Sequence, residues 1–443
     1  MKSLHKELFQ LTWPIFIESV LFMLLGTADV LMLGAYSDNA VGSVGIVNQI
    51  ISMFNIMFGI ITSGTTIICV QYIGARKNKT DIQRLIGGSL IINTVFGFLI
   101  SFIIFLFHAP ILSAMNVEEA FWDYSKTYLL LVGGTLFIQA VLNTFTAALR
   151  SYGFTQICMY VTLIMNLINI SCNYLFINGH FGAPRLGVLG AAISTTLSKT
   201  IGCILLGILV ARRIFTGFSI RQMLPFPFKE IKSVLTLGTP AAGESIAYNA
   251  SKLVITVILT YLGEIAVNTN AYMNSITMYI YVFAVAVGQG TAILVGRLVG
   301  EGRKEDAYHL CFWSFFRALI ITISVSILVL IFSVPILKLF TSNEEIIALG
   351  IKVLAVDIFL EFGRCANVII INCLRAAGDV RFPVYIGIMS MWGVSVLFGY
   401  IFGIVFHWGI IGVWLALGCD EVLRGIIMFI RWKKKIWYSK SLV

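Results

Sequence analysis

The chain has 443 residues, of which 58% are hydrophobic and only 12% are charged, and its net charge is +10. Its mean hydropathy of +0.93 lies far above that of soluble domains, which excludes an ordinary water-soluble fold and indicates an integral membrane protein. A positive net charge is also typical of nucleic-acid-binding proteins. The positions of the basic residues along the chain distinguish the two interpretations.

Twelve apolar runs follow one another along the chain, each of roughly 20 residues or more, which is enough to cross a bilayer core as a helix. They lie near residues 13–36, 46–71, 86–107, 124–147, 157–178, 187–211, 233–262, 271–296, 310–337, 346–372, 383–406 and 409–430. The first run carries Glu18 and Asp29 and opens a series of further runs, so we expect an uncleaved span rather than a signal peptide. The sequence therefore predicts an all-α integral membrane protein with twelve transmembrane helices.

Basic residues collect in the segments that follow alternate spans. Those before the last span are Lys2, Lys6, Arg76, Lys77, Lys79, Arg84, Arg150, Arg212, Arg213, Arg221, Lys229, Lys232, Arg297, Arg303, Lys304, Arg375 and Arg381. Because positively charged loops stay in the cytoplasm, the pattern predicts a multi-pass membrane protein with both termini cytoplasmic. A polybasic lipid or nucleic-acid patch is the alternative, but this sorting already accounts for the charge, and we expect no nucleic-acid partner.

An internal repeat appears when each residue from about 14 to 80 is placed against the residue 226 positions later. The pairs include Pro14 with Pro240, Glu18 with Glu244, Asn48 with Asn274, Gly64 with Gly290 and Gly74 with Gly300. The repeat predicts two pseudo-symmetric lobes of six helices, residues 1–215 and 216–443, in parallel orientation. Two such lobes favour a substrate cavity between them and alternating access, and a duplicated scaffold without transport is the alternative.

Several motifs occur in an order that resembles one transporter family. They are TADVLMLG at 27–34, NISCNYLFI at 169–177, GQGTAILVGRLVGEGRKEDA at 288–307 and LRAAGD at 374–379. Together they resemble the multidrug and toxic compound extrusion (MATE) transporters over nearly the whole chain. The resemblance implies secondary-active export of amphipathic, often cationic small molecules in exchange for protons or sodium ions.

Asp29 is a lone carboxylate at membrane depth, where an unpaired charge is costly unless it is protonated, paired or facing water. The resemblance implies a role in ion coupling and brings Asn169, Asn173 and Thr195 near it. Since Asn173 stands where the family tends to place a second acid, the coupling ion stays open between a proton and a sodium ion. Hydrogen bonding between helices is the alternative for both asparagines.

Glu18 precedes Asp29 by eleven residues, and this spacing puts the two side chains on almost the same face of a helix. Glu18 recurs as Glu244 in the second lobe. We expect both glutamates to attract substrate or form a gate near the cytoplasmic mouth. Pairing of each with a basic cytoplasmic side chain is the alternative.

The second lobe carries more charge within its spans than the first. We expect Tyr248, Lys252, Glu361 and Arg364 to line the cavity or gate, while the Glu361–Arg364 and Asp420–Arg424 spacings allow ion pairs along one helix. A buried structural network is the alternative. The resemblance places sodium-binding acids of some members at the positions of Tyr248 and Arg364, which argues against a second-lobe sodium site of that type.

Two other functions remain open from the sequence. The cationic side chains of Lys252, Arg317 and Arg364 favour a flippase for lipid-linked or phospholipid substrates, a relative in the same superfamily. An embedded enzyme would need a nucleophile and base, and no motif of either kind is present, so we expect no enzyme. The expected partners are a small-molecule substrate and membrane lipid, the expected state is a monomer, and no cofactor or metal is expected beyond the coupling ion.

Overall fold

A computed structural model describes residues 2–217, 222 and 224–442, and within them all regular structure is helical. The first six long helices are α1 (Lys2–Gly34), α2 (Asp38–Gly74), α3 (Lys79–Ala114), α4 (Glu119–Gly133 with Leu136–Ser151), α5 (Thr155–Phe176) and α6 (Val188–Arg213). The next six are α7 (Phe228–Tyr261), α8 (Glu264–Gly300), α9 (Lys304–Ile331), α10 (Glu344–Ala376), α11 (Arg381–Val405) and α12 (Gly409–Lys433). A short helix, Ser333–Lys338, follows α9. Arg221, one of the basic loop residues, lies outside the described residues.

Twelve long helices in the described part of the chain confirm the predicted fold class and the order of the spans. Eight of them are long and apolar enough to cross a membrane, and α4 makes a ninth if its two parts count as one span bent by 45°. The other three, α7, α10 and α12, are of similar length but carry charged or polar residues in their middle turns. Helix α1 also carries charges within its length, Glu18 and Asp29, but is apolar enough overall to count among the eight.

The described chain forms two compact units that do not follow the midpoint of the sequence. The N-terminal unit comprises Ile17–Cys69 and Lys77–Gly238, and the C-terminal unit comprises Met1–Phe16, Val70–Arg76 and Thr239–Val443. The start of α1 is thus part of the C-terminal unit, and the start of α7 is part of the N-terminal unit. The predicted division at residue 215 differs from these units at both helix starts and at Val70–Arg76, and it stays a prediction.

A close helix contact recurs at repeat-related positions in the two units. In the N-terminal unit, Gly64 of α2 lies so near the backbone of Val234 in α7 that a Cβ atom would overlap it. In the C-terminal unit, a Cβ atom at Gly290 of α8 would lie 2.5 Å from the side-chain hydroxyl of Thr12 in α1 and 3.4 Å from its backbone. Glycine is required at position 64 because only a missing side chain lets the two backbones approach, and at position 290 it leaves room for the Thr12 side chain.

The first turns of α1 make specific contacts within the C-terminal unit. The ring of His5 stacks on Trp313 of α9 with ring centroids 3.9 Å apart, and Glu7 lies 3.3 Å from Arg297 of α8. Leu8 and Leu11 are buried in the same apolar core. These contacts fix the beginning of α1 to helices that are encoded in the second half of the chain.

Candidate functional site

Within the N-terminal unit, α1 runs alongside α5 in a parallel direction. Nδ2 of Asn166 donates to the backbone carbonyl of Leu21 at 2.9 Å, and Thr162 donates to Glu18 at 3.3 Å. Asn173, eleven residues after Thr162, contacts Asp29, which is eleven residues after Glu18. Glu18 and Asp29 therefore share the face of α1 that is turned to α5, and the shared face agrees with their spacing.

The four residues predicted to form the ion site are connected by hydrogen bonds. Nδ2 of Asn173 donates to Oδ1 of Asp29 at 2.6 Å and to Oδ1 of Asn169 at 2.9 Å. Nδ2 of Asn169 donates to Oγ1 of Thr195 on α6 at 3.4 Å. Both asparagines are almost completely buried, while Asp29 and Thr195 are partly exposed. The polar chain thus connects two partly exposed side chains, Asp29 and Thr195, through two buried asparagines.

One acceptor of this network is left over. Both amide hydrogens of Asn173 are used, but its Oδ1 atom is buried and has no hydrogen-bond partner among the described residues. A buried carbonyl oxygen without a partner costs free energy unless a donor or a cation reaches it. The site therefore holds a carboxylate and a free amide oxygen for a cationic or donating group.

Two residues of the site were missed by the sequence reasoning. Tyr128 of α4 is buried and interacts electrostatically with Asp29. Lys199 of α6 also interacts electrostatically with Asp29. The signal for Lys199 was present, because it is the one charged residue of α6 before Arg212. Tyr128 carried no such signal, since tyrosines are common at span ends.

Glu18 and Glu244, predicted as substrate or gate residues, each form an ion pair in their own unit. Nη2 of Arg150 lies 2.7 Å from Oε2 of Glu18, and Nη2 of Arg375 lies 2.5 Å from Oε2 of Glu244. Both glutamates are buried. The structure therefore contains the pairing with basic side chains that was the alternative for both glutamates. A role in substrate attraction or gating stays a prediction.

The other predicted cavity residues gather around one tyrosine of the C-terminal unit. Tyr248, Lys252, Glu361 and Arg364 all interact electrostatically with Tyr281 of α8. The Arg364 guanidinium lies 4.7 Å from the centre of the Tyr281 ring, and the Lys252 ammonium lies 4.8 Å from that of Tyr248. Lys252 and Tyr248 are exposed, whereas Glu361 is fully buried. Tyr281 was one of several tyrosines that the sequence offered as cavity residues, and a cavity or gate role for these side chains stays a prediction.

The predicted ion pairs along single helices are present in the C-terminal unit. Glu361 pairs with Arg364 on α10, and Asp420 lies 3.2 Å from Arg424 on α12. Asp357 is different, because it is fully buried and neither of its oxygens has a hydrogen-bond partner in the described structure. These residues of α10 and α12 therefore include one carboxylate, that of Asp357, for which no arginine partner is present within ion-pair distance in the described structure.

The observed arrangement defines a class of protein. Long membrane-crossing helices in two repeat-related sets, with carboxylates held at membrane depth by buried polar networks, are typical of polytopic membrane transporters. The family model MatE matches residues 14–175 and 240–401, two segments that begin 226 residues apart, as the internal repeat does. The chain belongs to the MatE family, the MATE transporters, whose members are transporters and not enzymes.

Relatives of this family cover nearly the whole chain. An uncharacterized transporter, YisQ of Bacillus subtilis, is 42% identical over 98% of this chain and 96% of its own length. A probable multidrug resistance protein, NorM of Thermotoga maritima, is 26% identical over 100% of this chain and 95% of its own length. The family resemblance inferred from the motifs is thereby confirmed.

Solved structures share the fold. A crystal structure of a mutant of the Vibrio cholerae MATE transporter VcmN is similar with a TM-score of 0.91, at 19% identity and 99% coverage of both chains. A MOP superfamily transporter from Pyrococcus furiosus matches with a TM-score of 0.88, at 20% identity over 97% of this chain and 95% of its own. At these identities the likeness concerns the fold.

Proposed function

We propose that the protein is a secondary-active antiporter that exports amphipathic, cationic small molecules in exchange for protons or sodium ions by rocking alternating access. The observation that carries the proposal is the hydrogen-bonded chain from Asp29 through Asn173 and Asn169 to Thr195. The multidrug resistance proteins among the relatives support the substrate class. We place the protein in the inner or plasma membrane with both termini cytoplasmic, acting as a monomer.

Asp29 is the ion-binding carboxylate in this proposal. Its charge is costly at membrane depth, so binding of a cation is favoured whenever the site opens to water. The donor set fits a proton or a small monovalent cation, because it offers a carboxylate and the free Oδ1 atom of Asn173. Neutralising Asp29 weakens its charge-assisted bond to Asn173 and so loosens α1 from α5.

The cycle follows from this change in bonding. Ion binding from the outside releases the middle of α1, substrate leaves, and the inward-facing state returns the ion to the cytoplasm. The ion pair between Glu18 and Arg150 holds the part of α1 nearer its N-terminus while the segment around Asp29 rearranges. In this cycle the protein couples downhill entry of the ion to uphill export of the substrate.

The proposal is tested by dye uptake into inverted vesicles with a proton gradient or a sodium gradient imposed separately. Wild type should accumulate ethidium under at least one gradient, and Asp29→Asn should lose this accumulation while remaining folded and expressed. Asp38→Asn is the matched control, because Asp38 is an exposed acid at the start of α2. Unchanged accumulation by Asp29→Asn would contradict the assignment.

A flippase for anionic lipid-linked substrates is the second candidate. The observation in its favour is Lys252, an exposed cation inside α7 that has no acidic side chain within ion-pair distance among the described residues and lies over Tyr248. A phosphate headgroup is a suitable partner for such a side chain. Competition by anionic lipid precursors, with no competition by cationic dyes, would favour this candidate over drug export.

A further inference from the structure

Arg317 is an exposed cation in the middle of α9, outside the residues gathered around Tyr281. No acidic side chain stands within ion-pair distance of Arg317 in the described chain. The neighbouring side chains of Phe316, Ile320 and Ile321 are exposed and apolar. An exposed apolar face of a membrane helix is typical of contact with lipid. Arg317 is therefore a cation on a lipid-facing side of α9.

The Arg317 side chain points back along α9 toward the beginning of the helix. Its guanidinium carbon lies 5.4 Å from the centre of the Trp313 ring, which is one helical turn earlier. This direction agrees with the tilt of helical side chains toward the N-terminus. The apolar run of α9 begins near residue 310, and Arg317 lies about 10 Å further along the helix axis. The guanidinium is thus turned toward the nearer headgroup layer, as long basic side chains in membrane helices are.

Trp313 is held in place by the start of α1. The ring of His5 stacks on it with ring centroids 3.9 Å apart and an interplanar angle of 9°. Tryptophan is a common anchor at the membrane interface, and its ring attracts a guanidinium. Arg317 therefore lies over a fixed ring while its charge has no acidic partner in the described structure.

Helix α1 runs beside α9 in the same direction. Glu7 and Thr12 of α1 lie beside Arg297 and Gly290 of α8, in reverse chain order, so α1 and α8 are antiparallel. The short turn 301–303 joins α8 to α9, and the two helices pack against each other, so they are antiparallel as well. It follows that α1 and α9 are parallel.

Both parallel helices continue with exposed apolar side chains beyond the contact of His5 with Trp313. On α1, Phe9 and Trp13 are exposed, and their rings stack with centroids 6.1 Å apart. On α9, Ile320 follows Arg317 and is exposed. An acyl chain that begins at the level of Arg317 therefore meets apolar side chains on both helices.

We propose that Arg317 binds the phosphate group of an anionic phospholipid whose acyl chains lie along the exposed side chains of α1 and α9. The lipid supplies the negative charge that no described residue brings within ion-pair distance. A guanidinium suits this ligand because its N–H donors match two oxygens of a phosphate. The lipid belongs to the leaflet in which α1 and α9 begin, which is the cytoplasmic leaflet in the proposed orientation. The site is separate from Asp29 and does not depend on export.

The experiment is lipid binding to the purified full-length protein in detergent, measured by native mass spectrometry. Wild type should retain phosphatidylglycerol in preference to phosphatidylcholine. Arg317→Gln should bind phosphatidylglycerol more than about fivefold more weakly, because about fivefold is the effect of one basic residue near an anionic surface without a specific site. Arg381→Gln is the matched control, because Arg381 is an exposed arginine of the same unit, and its loss should stay within that factor.

Two further measurements characterise the ligand. Arg317→Lys keeps the charge but lacks the paired donors, so it should bind phosphatidylglycerol more tightly than Arg317→Gln and more weakly than wild type. Inorganic phosphate in excess over the lipid should not displace phosphatidylglycerol from wild type, because it makes no contact with the apolar side chains. If Arg317→Gln does not fold, Arg317→Met removes the charge and keeps an apolar stem.

Four outcomes would overturn the inference. They are unchanged phosphatidylglycerol binding by the folded Arg317→Gln, an equal loss in Arg381→Gln, equal retention of phosphatidylcholine by wild type, and displacement of the lipid by inorganic phosphate. The second would assign the effect to net charge, and the fourth would assign it to a site for free anions. Dye export by Asp29→Asn decides the proposed function separately, since the lipid measurement needs neither a substrate nor a gradient.

Discussion

Arg150 at the end of α4 lies 2.7 Å from Glu18 of α1, although 132 positions separate them in the chain. The same relationship recurs between Arg375 at the end of α10 and Glu244 of α7, at 2.5 Å. Both arginines follow a leucine in the repeated LRSYG and LRAAG segments. Each unit thus ties the first helix of its repeat to the end of the fourth by one largely buried ion pair.

The ion pair between Glu18 and Arg150 can be measured by a double-mutant cycle. Glu18→Gln removes the carboxylate that pairs with the Arg150 guanidinium. We expect the free energy of unfolding to fall by about 3 kcal/mol, with a clear fall in apparent melting temperature in detergent. Glu18→Gln combined with Arg150→Met should recover part of the loss. The repeat-related change Glu244→Gln should give a loss of similar size, and additive single effects at Glu18 and Arg150 would contradict the pairing.

Thr195→Val should slow ion-driven dye export while leaving the protein folded. The change removes the hydroxyl that accepts from Asn169, and a net loss of one hydrogen bond corresponds to a roughly two- to tenfold effect on the rate. Thr200→Val is the control on the same helix, because the Thr200 hydroxyl donates to the backbone carbonyl of Thr196 within its own helix. Both variants are compared by their initial rates of dye uptake in inverted vesicles. Equal rates for Thr195→Val and Thr200→Val would show that Thr195 is not part of the site.

Changes to the charge network of α10 should have opposite effects on stability. Arg364→Met removes the cation that pairs with the fully buried Glu361. We expect the free energy of unfolding to fall by about 3–5 kcal/mol, seen as a lower melting temperature. Asp357→Asn removes a buried charge whose oxygens have no hydrogen-bond partner in the described residues, so it should be neutral or stabilising. A large loss for Asp357→Asn would mean that its carboxylate binds a cation there.

Gly64→Ala should destabilise the N-terminal unit. The new methyl group would overlap the backbone of Val234, and such overpacking costs roughly 1–3 kcal/mol. Gly59→Ala is the matched control on α2, since a Cβ atom there would have no neighbour within 4 Å. This control should be neutral or gain up to about 1 kcal/mol from helix propensity, and the difference in melting temperature between the two variants is the measured quantity.

The fold was predictable because long apolar runs leave a chain few options in a bilayer. Every predicted span corresponds to a helix, and the repeat found from Pro14 and Pro240 matches the two segments of the family model. The bend of 45° within α4 was not predicted. The break follows Gly133 and Gly134 rather than a proline, and a glycine pair inside an apolar run does not by itself indicate a bend.

The candidate site was predictable where a residue type is rare in its surroundings. Asp29 and the asparagines of α5 stood out against apolar neighbours, and their contacts follow the helical spacing. The partner of Glu18 could not be chosen from the sequence, because Arg150 lies 132 positions away. Lys199 was overlooked although it is equally isolated, and Tyr281 was one of several tyrosines that the sequence could not rank.

The placement of the first turns of α1 bears on how the protein is made. His5, Glu7 and Thr12 contact α8 and α9, which leave the ribosome only after more than half of the chain has been synthesised. The earliest residues must therefore wait for their partners during membrane insertion, while Ile17 onward packs with helices made soon afterwards. Truncation of the N-terminal turns should impair maturation of the late-synthesised unit and spare the early one.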